Sequence, residues 1–439
     1  MQRQERFADG VLVLAVKPKA GEGEDGDVGD DVFMRGFKPA LRVAQFFGLL
    51  PVSKPADPRR ASFRWVSPRT ALAVVIIVGA VLEACAAAMR MVDTGIKVNT
   101  SVHAMFFSLT AVAQMLFLRM SCVWPQLMLD LASVDDKCLR AYGEPPRLRA
   151  RMLSLTAGSF LMAVVEHGLS NAGTLFYVWP CYYRGGLRLV WQGYFLTKYL
   201  KTFQLFTFAT WKAVLLLWLQ IINVFVWNFM DLFIALFAMG LSARFRLVNS
   251  DLEAVLVSKG QNNEFWRKKR KHYNALAELV RRVDVILGPL ILVSYATDLY
   301  FICLQLLSVV NPSGVSLYHK LFFVFSMAYL LLRMTFMTYV AANINEESRR
   351  PREVLFSIPT AAYSVEVERL LVQVLTDNIA LTGCNFFSIS RSFLLKIAGT
   401  IVTYVVVLVQ FSGKDANPDA AQSNGTVSCT CEDIKVYTC

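Results

Sequence analysis

Seven long apolar runs dominate this chain of 439 residues, of which 55% are hydrophobic and 18% are charged. A helix needs about 20 apolar residues to cross a bilayer, and a chain this apolar and this long is typical of multi-span membrane proteins. The sequence therefore predicts an all-α membrane protein with seven transmembrane helices. The runs are residues 70–91, 100–123, 151–177, 205–240, 284–310, 317–343 and 389–411.

The distribution of basic residues predicts the orientation. Lys and Arg concentrate in three long loops, whereas the short turns at 92–99 and 311–316 hold Lys97 and no other basic residue. Cytoplasmic loops carry the excess of Lys and Arg, so the amino terminus is expected in the cytoplasm and the carboxyl terminus outside. The net charge of +12 then reflects cytoplasmic flanks rather than a nucleic-acid partner. The three basic loops are 119–151, 241–283 and 344–391.

Two glycosylation acceptors agree with this orientation. Asn99 and Asn424 each begin an Asn-x-Ser/Thr sequence, and both fall on the predicted outer side. The carboxyl-terminal tail also carries Cys429, Cys431 and Cys439, which suits an oxidising exterior. Seven helices with the amino end inside is the reverse of a G-protein-coupled receptor.

The runs divide the chain into six predicted parts. A polar, charged start with few aromatic residues is expected to be disordered, and the segment 36–52 that follows is expected to lie along the inner membrane surface. The parts are a cytoplasmic tail 1–35, an amphipathic juxtamembrane segment 36–68, a six-helix ligand-binding bundle 69–343, a cytoplasmic anchor segment 344–388, a pore-lining helix 389–411 and an extracellular tail 412–439.

The last run is not uniformly apolar. Hydroxyls, an amide and two rings recur along it at helical spacing, so one face of the helix is polar. Such a face needs protein or water, because lipid cannot satisfy it. If several copies surrounded an axis, the face would line a pore; packing against neighbouring helices is the alternative. The residues are Thr400, Thr403, Tyr404, Val407, Gln410 and Phe411.

Polar residues inside the third, fourth and fifth runs predict a pocket open to the outside. Each intramembrane carboxylate costs about 2.5–3.5 kcal/mol or more, so such a residue needs water, a partner or a ligand. Asp231 and Arg333 are better explained by pairing between helices. Acceptors beside aromatic rings suit a polyhydroxylated ligand such as a mono- or disaccharide. The candidate ligand-binding residues are Glu166, His167, Asn171, Trp218, Tyr295, Asp298 and Tyr300.

Catalytic and metal signatures do not occur in the sequence. The chain has no phosphate-binding glycine loop, no H-E-x-x-H, no G-x-S-x-G and no cysteine pair at metal-ligand spacing. It also lacks the arginine series of a voltage sensor and a TVGYG filter. A receptor or a channel, with no cofactor and no enzymatic activity, is favoured.

The end of the last run resembles a known family. Thr403-Tyr404, five apolar residues and Gln410-Phe411 are similar to the signature of insect gustatory receptors, and the preceding residues 398–402 are similar to the sugar-receptor subfamily. The likeness extends from about residue 36 to 413. Further stretches that carry it are 44–52, 166–167, 227–233, 299–303, 346–351 and 381–383.

This resemblance implies a ligand-gated, non-selective cation channel in the plasma membrane of a sensory neuron. Four copies, of this chain alone or with other gustatory receptor subunits, would surround the pore. The last helix would be split into a cytoplasmic piece at 361–384 and a pore-lining piece at 389–411, with the gate at Gln410 and Phe411. The sugar would bind in the outer half of each bundle.

Two positions depart from the subfamily pattern. Val405 stands where sugar receptors usually have Glu after the Thr-Tyr pair, and Asp298 stands where they tend to have Asn. Two alternatives therefore remain open. The chain could be a modulatory or non-conducting subunit of a heteromeric taste receptor, or a heptahelical receptor that signals through a cytoplasmic partner.

Overall fold

A computed structural model describes residues 32–94, 98–205, 207–255, 263–310, 317–360 and 363–412, which are almost entirely helical. The α-helices of this part are α1 (Val32–Phe46), α2 (Pro68–Thr94), α3 (Val98–Tyr142), α4 (Leu148–Val178), α5 (Tyr182–Leu205), α6 (Thr210–Val255), α7 (Asn263–Val310), α8 (Leu317–Arg349), α9 (Pro351–Phe356), α10 (Val365–Thr376) and α11 (Arg391–Ser412). A two-stranded antiparallel hairpin, β1 (Val52–Ser53) and β2 (Ser62–Phe63), joins α1 to α2.

Six helices in the described part are long and apolar enough to cross a membrane, and they overlap the first six predicted runs. They are Pro68–Met89, Ser101–Tyr142, Leu148–Cys181, Thr210–Ala254, Asn263–Leu307 and Lys320–Phe356. The seventh predicted run coincides with α11, a helix of 22 residues. Helix α6 lies at the centre of the bundle, where α3, α4, α7 and α8 pack against it.

Three of the helices are more than twice as long as a bilayer requires. Helices α3, α6 and α7 have 45, 46 and 48 residues. At 1.5 Å per residue they extend for about 70 Å, against a hydrocarbon thickness of about 30 Å. Loops were predicted from the sequence over much of this extra length. It is helical because apolar residues continue at helical spacing; Phe245, Val248 and Leu252 on α6 are all buried.

Helix α1 packs one face against α4 and α6 of the helical core. Phe33, Phe37 and Leu41 recur every four residues on one face and are fully buried. The ring of Phe37 meets that of Phe237 on α6 edge-on, with centroids 5.3 Å apart. The helix begins at Val32, inside the predicted tail 1–35, and the rest of that tail lies outside the described residues.

Helix α5 was not predicted. It lies between the third and fourth spans, packs against the end of α4, and builds a small core around Phe195, Leu196 and Phe203. It is much less apolar than the spanning helices, so a search for apolar runs overlooks it. A single 3₁₀ turn, Trp179–Cys181, connects α4 to α5, and Cys181 is disulfide-bonded. We call this region, where α4 enters α5, the α5 end of the bundle.

The last two helices, α10 and α11, are separated by a non-helical segment that is pinned to α7. The backbone N–H of Ile389 donates to the Leu381 carbonyl at 2.8 Å and closes a short loop. Asp284 of α7 accepts hydrogen bonds from the Thr382 backbone N–H at 2.5 Å and from its hydroxyl at 2.9 Å. The start of α11 is therefore fixed to the helix that carries Tyr295 and Asp298.

Candidate functional site

Polar side chains from five helices, α4 to α8, meet inside the bundle in layers. The deepest layer is centred on Arg333 of α8, whose side chain is almost completely buried. Its Nη2 lies 2.6 Å from Asp298 Oδ1, and its Nε lies 2.6 Å from Asp231 Oδ2. Each of these ions would cost several kcal/mol to bury alone, so the three stabilise one another.

Neutral groups complete this ionic layer. The ring of Trp227 faces the guanidinium with its centroid 4.6 Å from Arg333 Cζ, and its Nε1 donates to Asp298 Oδ1 at 3.2 Å. Asn228 Oδ1 accepts from Arg333 Nη1 at 2.7 Å and from the Tyr329 hydroxyl at 2.9 Å. Two carboxylates against one guanidinium leave a net charge of −1 when both are ionised.

A second layer lies closer to the α5 end and contains no cation. Gln305 Nε2 of α7 donates to Ser326 Oγ of α8 at 3.1 Å, and Ser326 Oγ donates to Glu166 Oε1 of α4 at 3.1 Å. Ser326 precedes Arg333 by seven residues on the same helix, which places the two layers about 10 Å apart along it. Ser326 thereby links α8 to both α4 and α7.

The third layer joins α4 to α5. Asn171 Oδ1 accepts hydrogen bonds from the Tyr194 hydroxyl at 2.9 Å and from Lys198 Nζ. Burial lowers the pKa of Lys198 to about 8, because desolvation disfavours the charged amine. Nearby, the Tyr199 hydroxyl donates to Gln220 of α6.

Buried polar atoms of α4 and α7 in or beside the two outer layers have no hydrogen-bond partner among the described residues. They are His167 Nε2 on α4 and Gln305 Oε1 on α7. Buried polar atoms normally have a partner in the protein or in ordered water. The two outer layers can therefore accept further hydrogen-bonding groups. In the ionic layer, salt bridges join Arg333 to both carboxylates, although Asp231 Oδ2 and Asp298 Oδ2 accept no hydrogen bond from the described residues.

Comparison with known proteins decides the family. A family model described as trehalose receptor matches residues 23–420. The chain belongs to the trehalose receptor family. It is similar to gustatory receptor 5a for trehalose of Drosophila melanogaster, with 31% identity over 390 residues that cover 87% of this chain and 86% of the relative. The gustatory receptor for sugar taste 64a of the same organism is also 31% identical, over 87% of this chain and 85% of the relative.

The fold of this trehalose receptor family member is also that of a solved insect receptor. The olfactory receptor OR5 from Machilis hrabei superposes with a TM-score of 0.58 over 85% of this chain and 97% of OR5, at 14% identity. The structure of OR5 in complex with eugenol gives a TM-score of 0.56 over 87% of this chain and 100% of OR5. The likeness to the sugar-receptor subfamily that the sequence indicated is confirmed.

The structure of this trehalose receptor family member assigns the predicted ligand-binding residues to different places. Glu166 and Asn171 lie in the two outer layers, and half-buried His167 is beside them on α4. Asp298 lies in the ionic layer, fully buried and bound to Arg333. Tyr300 donates to Ser101 Oγ at 3.2 Å.

Tyr295 and Trp218 lie outside the layers. Tyr295 is buried, its hydroxyl is 2.7 Å from Thr338 Oγ1, and its ring contacts those of Phe387 and Phe393. Trp218 keeps 39% of its surface exposed and makes neither a hydrogen bond nor a ring contact with other described residues.

Several residues of the layers were not predicted from the sequence. Ser326, Tyr329 and Arg333 follow one another at i, i+3 and i+7 on α8, a spacing that places them on one face of a helix. That pattern was present in the sixth run, where Arg333 alone was singled out as the partner of an intramembrane carboxylate. This pairing is confirmed, with Asp231 and Asp298 both serving as partners. Lys198 and Tyr194 lie on α5 and could not be placed without that helix.

The polar face of α11 is left uncovered by the rest of the described chain. Thr400 and Thr403 are exposed, and their hydroxyls donate to the Lys396 and Gly399 carbonyls within the same helix, at 3.0 and 2.9 Å. Val407 and Gln410 are also exposed, whereas Tyr404 is half-buried. Helix α11 packs on α7 and α8 through Phe393, Ile397 and Ile401.

Some predicted residues fall outside the described part of the chain. The side chain of Phe411 and that of Asn99, in the first turn of α3, are among them, as is all of Asn424. Among the described residues, no group of three or more His, Cys, Asp or Glu could hold a metal ion.

Proposed function

We propose that this chain is a gustatory receptor for sugars that acts as a ligand-gated, non-selective cation channel. Sugar enters the outer half of the helix bundle, and four subunits surround a pore lined by α11 in the plasma membrane of a sensory neuron. The observation that carries the proposal is a set of polar layers, with unfilled hydrogen-bonding capacity, inside a chain of the trehalose receptor family. Named relatives in that family are receptors for trehalose or for sugar taste.

The orientation in this proposal is amino terminus inside and carboxyl terminus outside. The long ends of α3, α6 and α7 carry Arg140, Arg246 and Lys268, as expected of the cytoplasmic side. The disulfide of Cys181 lies at the opposite, α5 end, and disulfides form and persist in oxidising surroundings. The α5 end therefore faces the exterior, from which sugar arrives.

The proposed sugar site comprises the two outer layers. Glu166 and Asn171 provide oxygens that accept from sugar hydroxyls, and His167 Nε2 and Gln305 Oε1 are buried atoms without a partner among the described residues. Carboxylate, amide and imidazole groups are the usual polar groups that orient a ligand in a pocket. Trp218 and Tyr300 are proposed as aromatic walls for the C–H faces of the sugar.

Asp298 and Tyr295 are proposed to transmit the effect of sugar binding to α11 rather than to contact the sugar. Asp298 is already engaged by Arg333 and Trp227, and Tyr295 is enclosed by Phe387 and Phe393. Sugar hydroxyls that replace Ser326 on Glu166 would change how α4 and α8 are held together. Because Arg333 joins α8 to α6 and α7, that change reaches Tyr295 and the start of α11.

The pore is proposed to form from the uncovered face of α11. Thr400, Thr403 and Gln410 need protein or water beside them in a membrane, and four copies around an axis supply both. The gate is proposed at Gln410 and Phe411, with Tyr404 and Val407 completing the pore-lining set. A ligand opens such a gate only through its higher affinity for the open arrangement, which four sites together increase.

Purified protein in liposomes tests the proposal directly. We expect a cation current on addition of sucrose, maltose, glucose, trehalose or fructose, and its absence with mannitol. Glu166→Gln is expected to raise the half-maximal sugar concentration about tenfold, the loss of one charge-assisted hydrogen bond, without altering permeability ratios. The matched control is Glu278→Gln, which changes an exposed glutamate on the long end of α7, away from the proposed sugar site. It should leave the sugar response unaltered.

Two results would replace this proposal with an alternative. A sugar response that requires co-expression of a second gustatory receptor chain would show that this chain is a modulatory subunit. Val405, which departs from the subfamily pattern, is the reason to test for this outcome. A response in cells that is absent from liposomes containing pure protein would indicate signalling through a cytoplasmic partner.

A further inference from the structure

A cavity of about 250 Å³ lies between α4, α6 and α8, on the inner side of the ionic layer. Gly158, Ser159 and Met162 line it from α4, and Leu332 and Phe336 line it from α8. These residues are separate from Glu166, Asn171 and Gln305 of the proposed sugar site. The cavity is thus distinct from the proposed sugar site, and Arg333 of the ionic layer forms part of its lining.

The cavity opens on the exposed surface of α4 and α8, two helices long and apolar enough to span a membrane. Leu332 is 64% exposed and Phe336 is 40% exposed, so the wall that they form is not covered by the described chain. Gly158 leaves the opposite wall open, since a Cβ built on it meets no atom within 4 Å. A molecule dissolved in the bilayer can reach this space without passing through the sugar site.

Polar groups line the end of the cavity that adjoins the ionic layer. Asn228, Asp231 and Arg333 line it, and Asp231 Oδ2 accepts no hydrogen bond within the described residues although it lies close to Arg333 Nε. The hydroxyls of Ser154 and Ser159 likewise form no hydrogen bond with the described part of the chain. By contrast, Thr156 on the same helix donates to the Met152 carbonyl at 2.8 Å.

We propose that the cavity binds an uncharged amphiphile with a hydroxyl at one end and an apolar body. The hydroxyl of the amphiphile can donate to Asp231 Oδ2 and accept from the Ser159 hydroxyl. Lipid tails alone cannot satisfy these two protein groups. An anionic end would be repelled by Asp231 and Asp298, and a cationic end would compete with Arg333 for both carboxylates. The apolar body lies along Met162, Leu332 and Phe336.

The size of the cavity limits the occupant. Its volume is just below the roughly 300 Å³ at which ligand pockets begin, so it holds a small alcohol whole or the end of a larger lipid. A sugar is excluded because it would place hydroxyls against the apolar wall and leave them without partners. The amphiphile can come from the bilayer, as a sterol does, or from water.

Photolabelling tests this site without depending on current. Purified receptor in lipid nanodiscs is irradiated with an octanol that carries a diazirine, and the adducts are located by mass spectrometry. We expect adducts on α4 near Ser159 and on α8 near Leu332, and we expect excess unlabelled octanol to suppress them. Ser159→Ala should reduce labelling about fivefold, equivalent to one hydrogen bond of about 1 kcal/mol.

Two glycines of α4 provide a matched pair of variants. Gly158→Phe fills the cavity and should reduce labelling there about tenfold, whereas Gly168→Phe, on the same helix but outside the cavity, should leave it unchanged. A Cβ at Gly168 also meets nothing within 4 Å, so the two variants place the same ring on equally open surface. Thermal unfolding in the nanodiscs checks that both are folded.

Competition identifies the source and can overturn the proposal. Protection by cholesterol added to the nanodiscs would identify a bilayer lipid as the occupant, and protection by octanol alone would identify a water-borne amphiphile. Labelling spread evenly over exposed helix faces and insensitive to Gly158→Phe would refute the site. Protection by a saturating sugar would instead make the cavity part of the sugar site, and the inference would then be wrong.

Discussion

Tyr295 of α7 lies edge-on against Phe393 of α11, with ring centroids 5.4 Å apart and an interplanar angle of 79°. Phe393 in turn stacks on Phe387 at 4.6 Å, so three rings join the helix of Asp298 to the first turn of α11. One turn of α7 separates Tyr295 from Asp298. In the proposed mechanism, a displacement of the ionic layer reaches α11 through these packed rings.

Phe393→Ala is expected to uncouple sugar binding from current. Removal of the ring leaves a gap beside Tyr295 and Phe387, which still contact each other, so movement of α7 is no longer passed to the first turn of α11. We expect the maximal sugar-evoked current to fall several-fold while the sugar affinity, measured by thermal shift, stays the same. Phe386→Ala is the control, because Phe386 is 81% exposed in the same segment and makes no ring contact within the described chain. A parallel loss of affinity and current would place Phe393 in the binding step instead.

Arg333→Met is expected to destabilise the folded protein by about 3–5 kcal/mol, since it leaves two buried carboxylates without their cation. Surface expression and the unfolding temperature in detergent should both fall. Adding Asp231→Asn and Asp298→Asn to the same chain should restore part of the loss, because the uncompensated charges are removed. Arg352→Met, at an exposed position on α9, should have little effect on either measurement. An Arg333→Met protein as stable as the parent would contradict the ionic layer.

The buried amine of Lys198 is expected to make the stability of the folded protein depend on pH. Its pKa is lowered to about 8 by burial, so between pH 8 and the usual lysine value of about 10.4 the unfolded chain holds more protons than the folded one. The free energy of unfolding therefore rises with pH over this range, and below it the buried charge is a constant cost. Lys198→Met should raise the unfolding temperature most below pH 8, and its advantage should shrink toward pH 10. Lys212→Met, which removes an exposed amine, should show no such trend.

Gln410→Ala is expected to raise the current that flows without sugar. The amide is exposed near the end of α11, and its loss would widen the proposed constriction. Whole-cell leak normalised to surface protein measures the effect. Leu395→Ala, at the other end of α11 and also exposed, tests whether any loss of bulk on this helix has the same result. Equal leak from the parent and Gln410→Ala, with an unchanged sugar response, would remove Gln410 from the gate.

The sequence allowed the spanning helices and the family to be predicted, because both depend on local patterns. Long apolar runs located six helices that the structure contains, and the charged residue in the sixth run required a carboxylate partner. It could not predict α5, whose stability depends on packing against α4, nor the depth of each polar residue. Asp298 looked equivalent to Glu166 along the chain, yet one is fully buried beside Arg333 and the other is half-buried beside Ser326.

The hydrogen bonds that join the helices of the polar layers lie within one chain, whereas the exposed face of α11 is not covered by the described residues. In the proposed channel, recognition and assembly therefore depend on different surfaces. Under that proposal, substitutions in the layers change the ligand that a subunit binds without changing α11, so subunits with different ligands can form one pore. Related chains of such a channel can in this way differ in their ligand-binding residues while their pore-lining helices stay the same.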